Sequence, residues 1–263
     1  VTLGTDTLGN SEQRQQLAIV KINSDGAAEY THFLPTSTQH FLAARLARNG
    51  DLLLTGRAGD FQLRLGNERI DFNSDPAFFV TRITPQNGEV RWLTGISATE
   101  EWLSVGSAYG LLETSTGDVV VTLSPAGPSF TINDCRESGK FGFRVANVDG
   151  ESGTLNWQRL VMEHDFGYIS DVAENPNGDL FLIGEAGGEL NASNGETIVA
   201  DQNVCNNRMG FMLKLDDRGI TYDLLRYPNG FRPNDIVMQP GGSYALAGDT
   251  DGVLQTWDAE RPA

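Results

Sequence analysis

Apolar and polar positions along the chain fall into two alternating kinds of short run. The first kind reads VTLGTDTLG from Val1, GDLLLTGRAG from Gly50, GDVVVTLSPAG from Gly117, GDLFLIGEAGG from Gly178 and SYALAGDTDG from Ser243. The second reads LAIVKINSDG from Leu17, FFVTRITPQNG from Phe78, FGFRVANVDG from Phe141, GFMLKLDDRG from Gly210 and a clipped VLQTWDAE from Val253. Short apolar runs bounded by turn residues read as strands. Asp25-Gly26, Asn49-Gly50, Asn87-Gly88 and Asn177-Gly178 are hairpin signals, because these dipeptides reach positive φ at little steric cost. The glycines that close the second kind of run, Gly26, Gly88, Gly150 and Gly219, are spaced by 62, 62 and 69 residues. A period of this size marks a repeat architecture.

Each full repeat holds four strand-like stretches, as in YISDVAENP from Tyr168, then LFLIG, GFMLKL and ITYDLLRYP. No stretch sustains a helical period with caps. Four antiparallel strands repeated radially make the blades of a β-propeller, which leaves only short protected edges. The expected fold is all-β: a β-propeller of four-stranded antiparallel blades. Three units are complete, starting near Phe41, Trp102 and Tyr168, and a partial unit lies at each end. This gives about five blades with incomplete terminal units, in one domain over residues 1–263 or in a portion of a longer propeller.

At these residues the chain resembles a known family. The stretch TGRAGDFQLRLGNERIDFNSDPAFFVTRITPQNGEVRW, from Thr55 to Trp92, is similar to the SBBP-type bacterial β-propeller repeats. The pattern recurs more loosely as FRVANVDGESGTLNW, ending at Trp157, and as FMLKLDDRGITYDLL. The resemblance implies a bacterial protein that is extracellular or on the cell surface. It assigns no chemistry.

The chain carries 19 Lys and Arg against 35 Asp and Glu, a net charge of −16. Nucleic-acid binding needs clustered cations, and none are seen, so no nucleic-acid partner is expected. No apolar run reaches eighteen residues, so no membrane span is expected. Cys135 and Cys205 each lie six residues before a repeat phenylalanine, Phe141 and Phe211. That shared position makes them a candidate disulfide, with two buried thiols as the other reading.

The connections between second and third strands are long, over 57–76, 124–140 and 185–209. In an up-and-down blade they share one face with the links between blades, near 36–40, 98–101 and 163–166. Long loops on a rigid scaffold are where binding concentrates. The candidate binding residues at the links are Glu100, Glu101, Trp102 and Asp165, with Tyr168 just beyond. Trp92 and Trp157 occupy matching fourth strands and read as wedges between blades. His32, His40 and His164 have no metal-ligand spacing. No cofactor motif is present; Ca²⁺ is the one cation that the link carboxylates would suit. No nucleophile elbow or phosphate loop is seen. The expected function is a non-catalytic binding or interaction module whose partner, a protein or a glycan, meets the long-loop face. The alternatives are a secreted glycan-active hydrolase or lyase, or a structural spacer in a larger surface assembly.

Overall fold

The computed structural model describes residues 2–3, 6–7, 16–36, 40–58, 62–72, 77–97, 104–107, 109–126, 141–199, 209–227 and 230–250. They form strands and turns, with no helix among them, so the chain is all-β. It divides into two compact units, Val1–Thr131 with Phe143–Leu160, and Ile132–Gly142 with Val161–Ala263.

The first unit opens with a short pair, β1 (Thr2–Leu3) and β2 (Asp6–Thr7), and a hairpin of β3 (Gln16–Ile22) and β4 (Ala28–Pro35). Next come β5 (His40–Leu46), β6 (Leu52–Ala58), β7 (Gln62–Leu65), β8 (Glu68–Asp71), β9 (Ala77–Thr84) and β10 (Glu89–Ser97). Of these, β5, β6, β9 and β10 make one antiparallel sheet in that order, while β7 and β8 form a separate hairpin. Then follow β11 (Ser104–Ser107), β12 (Leu111–Glu113), β13 (Val119–Ala126), β14 (Phe141–Val148) and β15 (Leu155–Glu174). β11 and β12 both pair with β13, so together they fill one strand position, and the start of β15 lies beside β14.

In the second unit the rest of β15 is followed by β16 (Leu180–Ala192), β17 (Thr197–Val199), β18 (Met209–Leu215) and β19 (Thr221–Tyr227). The sheet order is β15, β16, β18, β19, with β17 added on the far part of β16. A hairpin of β20 (Phe231–Met238) and β21 (Tyr244–Thr250) ends the description.

The turns explain the regularity. At Asn23, Ala47, Thr114, Asn175, Ala192, Asp216 and Gln239 the same pair of backbone bonds recurs: the residue's N–H reaches the carbonyl four positions on, and its carbonyl accepts the N–H three positions on. Such a loop needs a left-handed residue at its fourth position, and glycine supplies it: Gly26, Gly50, Gly117, Gly178, Gly195, Gly219 and Gly242 all have positive φ. Where the first residue is Asn or Asp, its side chain also accepts the following N–H groups, as at Asn23, Asn175 and Asp216.

One repeat boundary differs from the sequence reading. The glycine that closes the β14–β15 turn is Gly153, with φ +74°, and not Gly150. Gly150 is glycine for another reason: a Cβ there would meet the Gly117 carbonyl oxygen at 1.9 Å. The registers agree. Asn147 pairs with Val120, as Arg82 pairs with Leu53 and Lys214 with Phe181. On that register Arg144, not Phe141, stands where Phe211 does. Cys135 and Cys205, matched through those phenylalanines, are therefore offset by three residues; both lie outside the described residues.

Each unit has its own core. In the first, Leu53, Phe78, Val80, Trp92, Ile96, Val119, Val121 and Val148 pack between the two four-stranded sheets. Trp92 is the expected wedge: its indole N–H donates to the Gly150 carbonyl at 3.0 Å, and a Cβ at Gly153 would touch it. Trp157 is only partly buried. In the second unit Phe181, Ile183, Met212, Tyr227 and Ile236 form the core, with Tyr227 edge-on to Phe231.

Within the first core lies a buried cation. Arg82, 6% exposed, donates from Nε to Asp51 Oδ2 at 2.9 Å and from Nη1 to the Gly150 carbonyl at 2.6 Å. Its Nη2 donates to Asn49 Oδ1 at 3.0 Å and to Glu113 Oε1 at 2.9 Å. Arg82→Ala would leave Glu113 buried without this cation and Asp51 with only Arg91 Nε, at 3.2 Å, and should cost about 3–5 kcal/mol, read as a fall in the urea midpoint. Lys at this position should recover little, because an ammonium cannot span the four acceptors.

His164, 2% exposed on β15, has its pKa pushed down to about 3 by burial. The unfolded chain takes up a proton near the ordinary value of 6.5 and the folded chain does not. Stability from this group is therefore full above about pH 6.5 and falls as pH drops towards 3. Between pH 7.5 and 5 the wild type should lose about 2 kcal/mol more than His164→Leu, measured by denaturant titration at both pH values.

Candidate binding groove

Several sequence candidates lie outside the described residues: Glu100, Glu101 and Trp102 at one inter-sheet link, and both cysteines. Asp165 sits in β15 where the pairing with β16 shifts between His164 and Phe166; its side chain is outside the description. Tyr168 is partly buried in β15, directly opposite Glu185 of β16.

Around Tyr168 the structure gathers polar groups that the sequence did not flag. Glu185 is buried, and its Oε2 lies 3.8 Å from Arg232 Nε of β20. Ser170 Oγ donates to the Pro233 carbonyl at 2.6 Å, and buried Asp171 accepts the Ile236 N–H at 3.3 Å. Gly210 is required here, since a Cβ would meet the Phe231 carbonyl oxygen at 2.1 Å. These contacts tie β15 and β16 to β20, with Gly210 letting β20 pass close to β18, so the cluster is committed to packing. A carboxylate directly after the apolar run LFLIG, Glu185, was its only trace in the sequence.

Two of the three long segments hold strands, while most of 124–140 lies outside the described residues. The segment 57–76 contains the β7–β8 hairpin, and 185–209 continues β16 and adds β17. Strand β7 alternates cleanly: Leu63 and Leu65 are fully buried, while Gln62 and Arg64 are exposed. A two-residue turn, Gly66-Asn67, closes it, with Gly66 at φ +60°. Thr36 bridges to Leu65 and fixes the hairpin on the end of β4. On its outer side Arg69 and Gln62 bind Asp71; the bond from Gln62, then that from Arg69, holds the Asp71 carboxyl below its usual range.

The hairpin tip, β4 and the β9–β10 turn enclose a groove of about 380 Å³ in the first unit. Its floor is apolar, Leu34 and Val90, continuous with the cluster of Ile19, Leu54, Leu65 and Ile83. Its rim is polar: Arg64, Asn67, Glu68 and Glu89. Arg64 Nε donates to the Gly66 carbonyl at 3.3 Å, and Asn87 Nδ2 donates to Glu89 Oε2 at 3.2 Å, which sets the direction of both charged heads. Beside the turn, His32 Nε2 donates to the Gln86 carbonyl at 2.7 Å and its ring lies 5.4 Å from Tyr30. An apolar floor with a few convergent polar groups suits a small ligand that is flat on one side and rich in hydrogen-bonding groups at its edge.

One point differs from expectation. The site material of 57–76 reaches a short turn, Gly88-Glu89, instead of standing apart from such turns. Of the residues expected at or beside the links, Tyr168 does not line this groove, and Glu100, Glu101, Trp102 and the Asp165 side chain lie outside the described residues. Among the described residues, no three His, Cys, Asp or Glu gather as metal ligands. The signal for the groove was present in the sequence as alternation in QLRLGNERID, but inside a stretch read as a loop.

Gly88 lines the groove beside His32 and Leu34. It has φ +70°, and a Cβ would come within 3.3 Å of His32 Cβ. Gly88→Ala should cost about 1–2 kcal/mol through the left-handed backbone, seen as a lowered thermal midpoint, and should displace His32 from Gln86, seen as a changed histidine ring resonance.

No family model matches the chain, and no curated protein sequence matches it. Solved structures do. A protein of unknown function from Bacteroides caccae is 10% identical, with a TM-score of 0.39 over 90% of this chain and 80% of that one. A mannose phosphorylase from Leishmania mexicana is 11% identical, with a TM-score of 0.32 over 80% of each chain. BamB from Moraxella catarrhalis is 12% identical, with a TM-score of 0.26 over 88% of this chain and 77% of that one. At these TM-scores the likeness assigns neither a family nor a function.

Proposed function

We propose that the chain is a non-catalytic binding module of a secreted or surface-exposed bacterial protein, and that the β7–β8 groove takes a glycan. Residues 1–263 then form one β-propeller domain, or a portion of a longer one, with the four-stranded sheets as its blades. The equal strand order of β5-β6-β9-β10 and β15-β16-β18-β19 supports the blade reading.

The observation that carries the binding reading is the groove itself. A pyranose ring has an apolar face and an edge of hydroxyls. Leu34 and Val90 offer a floor for the face. Arg64, Asn67, Glu68 and Glu89 offer both donors and acceptors for the edge. Elsewhere the short turns spend their polar groups on themselves, as where the Ser152 hydroxyl and N–H bind Asp149.

The test is a glycan-array screen followed by calorimetry on any hit. Arg64→Ala with Glu68→Ala should weaken the hit by about 10-fold or more, since a hydrogen bond to a charged group contributes about 1.5–3 kcal/mol. Both residues are exposed, so the thermal midpoint should hold. A companion variant, Glu100→Ala, Glu101→Ala and Asp165→Ala, separates the two locations: loss of binding there, and not in the groove variant, places the site at the links.

A further inference from the structure

Among the described residues four asparagines stand directly before a glycine: Asn49, Asn87, Asn177 and Asn194. Such a pair carries its own reaction. The glycine nitrogen, unhindered because no Cβ stands beside it, attacks Cγ of the asparagine side chain. The bond from Cγ to the side-chain nitrogen breaks, that nitrogen leaves as ammonia with the glycine N–H proton, and a succinimide ring closes. Water then opens either ring carbonyl and leaves aspartate or isoaspartate. No oxidant and no co-reactant besides water is needed, but the asparagine side chain must be free to turn onto the backbone.

The turns hold these side chains differently. Asn49, Asn177 and Asn194 occupy the third position of the same turn, and the attacking nitrogen is held alike in each. The Gly50 N–H donates to the Ala47 carbonyl at 2.9 Å, the Gly178 N–H to the Asn175 carbonyl at 3.0 Å, and the Gly195 N–H to the Ala192 carbonyl at 3.0 Å. In the two turns that open on alanine, the third residue caps the fifth: Asn49 Oδ1 accepts the Asp51 N–H and Asn194 Oδ1 the Glu196 N–H, both at 3.0 Å. Asn49 is held further, by Nδ2 donating to Asp51 Oδ2 and by Arg82 donating to Oδ1. Asn87, in a different turn, accepts the Glu89 N–H at 3.0 Å and donates to its carboxylate. In the turn that opens on Asn175 the cap is already taken. Asn175 Oδ1 accepts both the Asn177 N–H at 2.8 Å and the Asp179 N–H at 2.9 Å. The Asn177 side chain is exposed, and no described residue hydrogen-bonds it.

We propose that Asn177 is a site of spontaneous covalent modification in the folded protein, converting to aspartate and isoaspartate ahead of Asn49, Asn87 and Asn194. Each of those three must first give up the hydrogen bonds of its side chain, and one net bond of this kind holds a group back by roughly 2- to 10-fold. The aspartate product fits the turn. Asp25 already stands at the third position of the turn that opens on Asn23, whose Oδ1 accepts the N–H groups of Asp25 and Ala27. Aspartate at 177 therefore adds a negative charge to the turn that holds Asp179 without unmaking it. Isoaspartate instead routes the backbone through the side-chain carbon and lengthens the turn by one atom. This chemistry is independent of what the groove binds.

The test is incubation of the protein in mildly alkaline buffer, with peptide mass spectrometry of samples taken over time to follow the loss of asparagine at each site. The same sites in the urea-unfolded chain supply the reference, so that the effect of each preceding residue cancels. Asn177 should show the highest ratio of folded to unfolded rate, several-fold above Asn87 and Asn194, with Asn49 the lowest. Asn175→Ala gives a second arm. It releases the Asp179 N–H to Asn177, and should slow Asn177 towards the rate of Asn194. Asn194 in the same variant should keep its wild-type rate, which reports that the fold is intact. A wild-type ratio at Asn177 no higher than at Asn194 overturns the proposal. So does a folded Asn175→Ala variant in which Asn177 reacts as fast as before, since the vacant cap was then not the cause. Should that variant unfold, the wild-type ratios alone decide.

Discussion

The first unit depends on one guanidinium. Arg82 is taken out of water inside a sheet core, and a charge there is tolerable only with its partners in place. Its partners come from three places: the β5–β6 turn through Asn49 and Asp51, the end of β12 through Glu113, and the β14–β15 turn through the Gly150 carbonyl. Glu113 in turn accepts the Arg48 N–H at 2.6 Å. A residue of the third strand thus fixes a turn of its own sheet and two elements of the next. The glycine at 150 belongs to the same constraint, because only a bare Cα lets that carbonyl approach while lying against Gly117.

The equivalents of Arg82 show how local context diverts one sequence position. Lys214 donates to Asp223 at 2.7 Å and lies 5.5 Å over the Phe181 ring. Asn147 accepts from Asn156 at 2.7 Å. Lys21 pairs with Glu29 in water. Only Arg82 has a fork of donors long and planar enough to satisfy several acceptors at once. The other three bind within their own hairpin, where the pairing of the third and fourth strands already places a partner.

The same economy bears on the site proposed at the β7–β8 hairpin. The seven repeated turns close on their own backbone, and the Asn and Asp side chains that open them are engaged by it. The β7–β8 hairpin is anchored by Leu63, Leu65 and the Thr36 bridge, so its outward side chains need not hold the fold. They are left to line the groove, above a floor that belongs to the core.

Much of the architecture was legible in the chain. Alternating runs and Asn-Gly or Asp-Gly turns determined the strands, because a glycine at the left-handed position and a period of two act within a few residues. Gly150 was misread because its role is a contact with Gly117, distant in sequence, while Gly153 carries the turn. The groove was not legible, although its alternation was: which surface a hairpin folds onto depends on Leu65 meeting Thr36 and Val90 lying beside Gly66. The strands, turns and repeat were thus determined by the sequence alone, through short-range sterics and hydrophobic periodicity. The partners of Arg82, the burial of His164 and Glu185 and the groove were decided by the tertiary structure. Each of them rests on side chains that come together only after separate strands have packed.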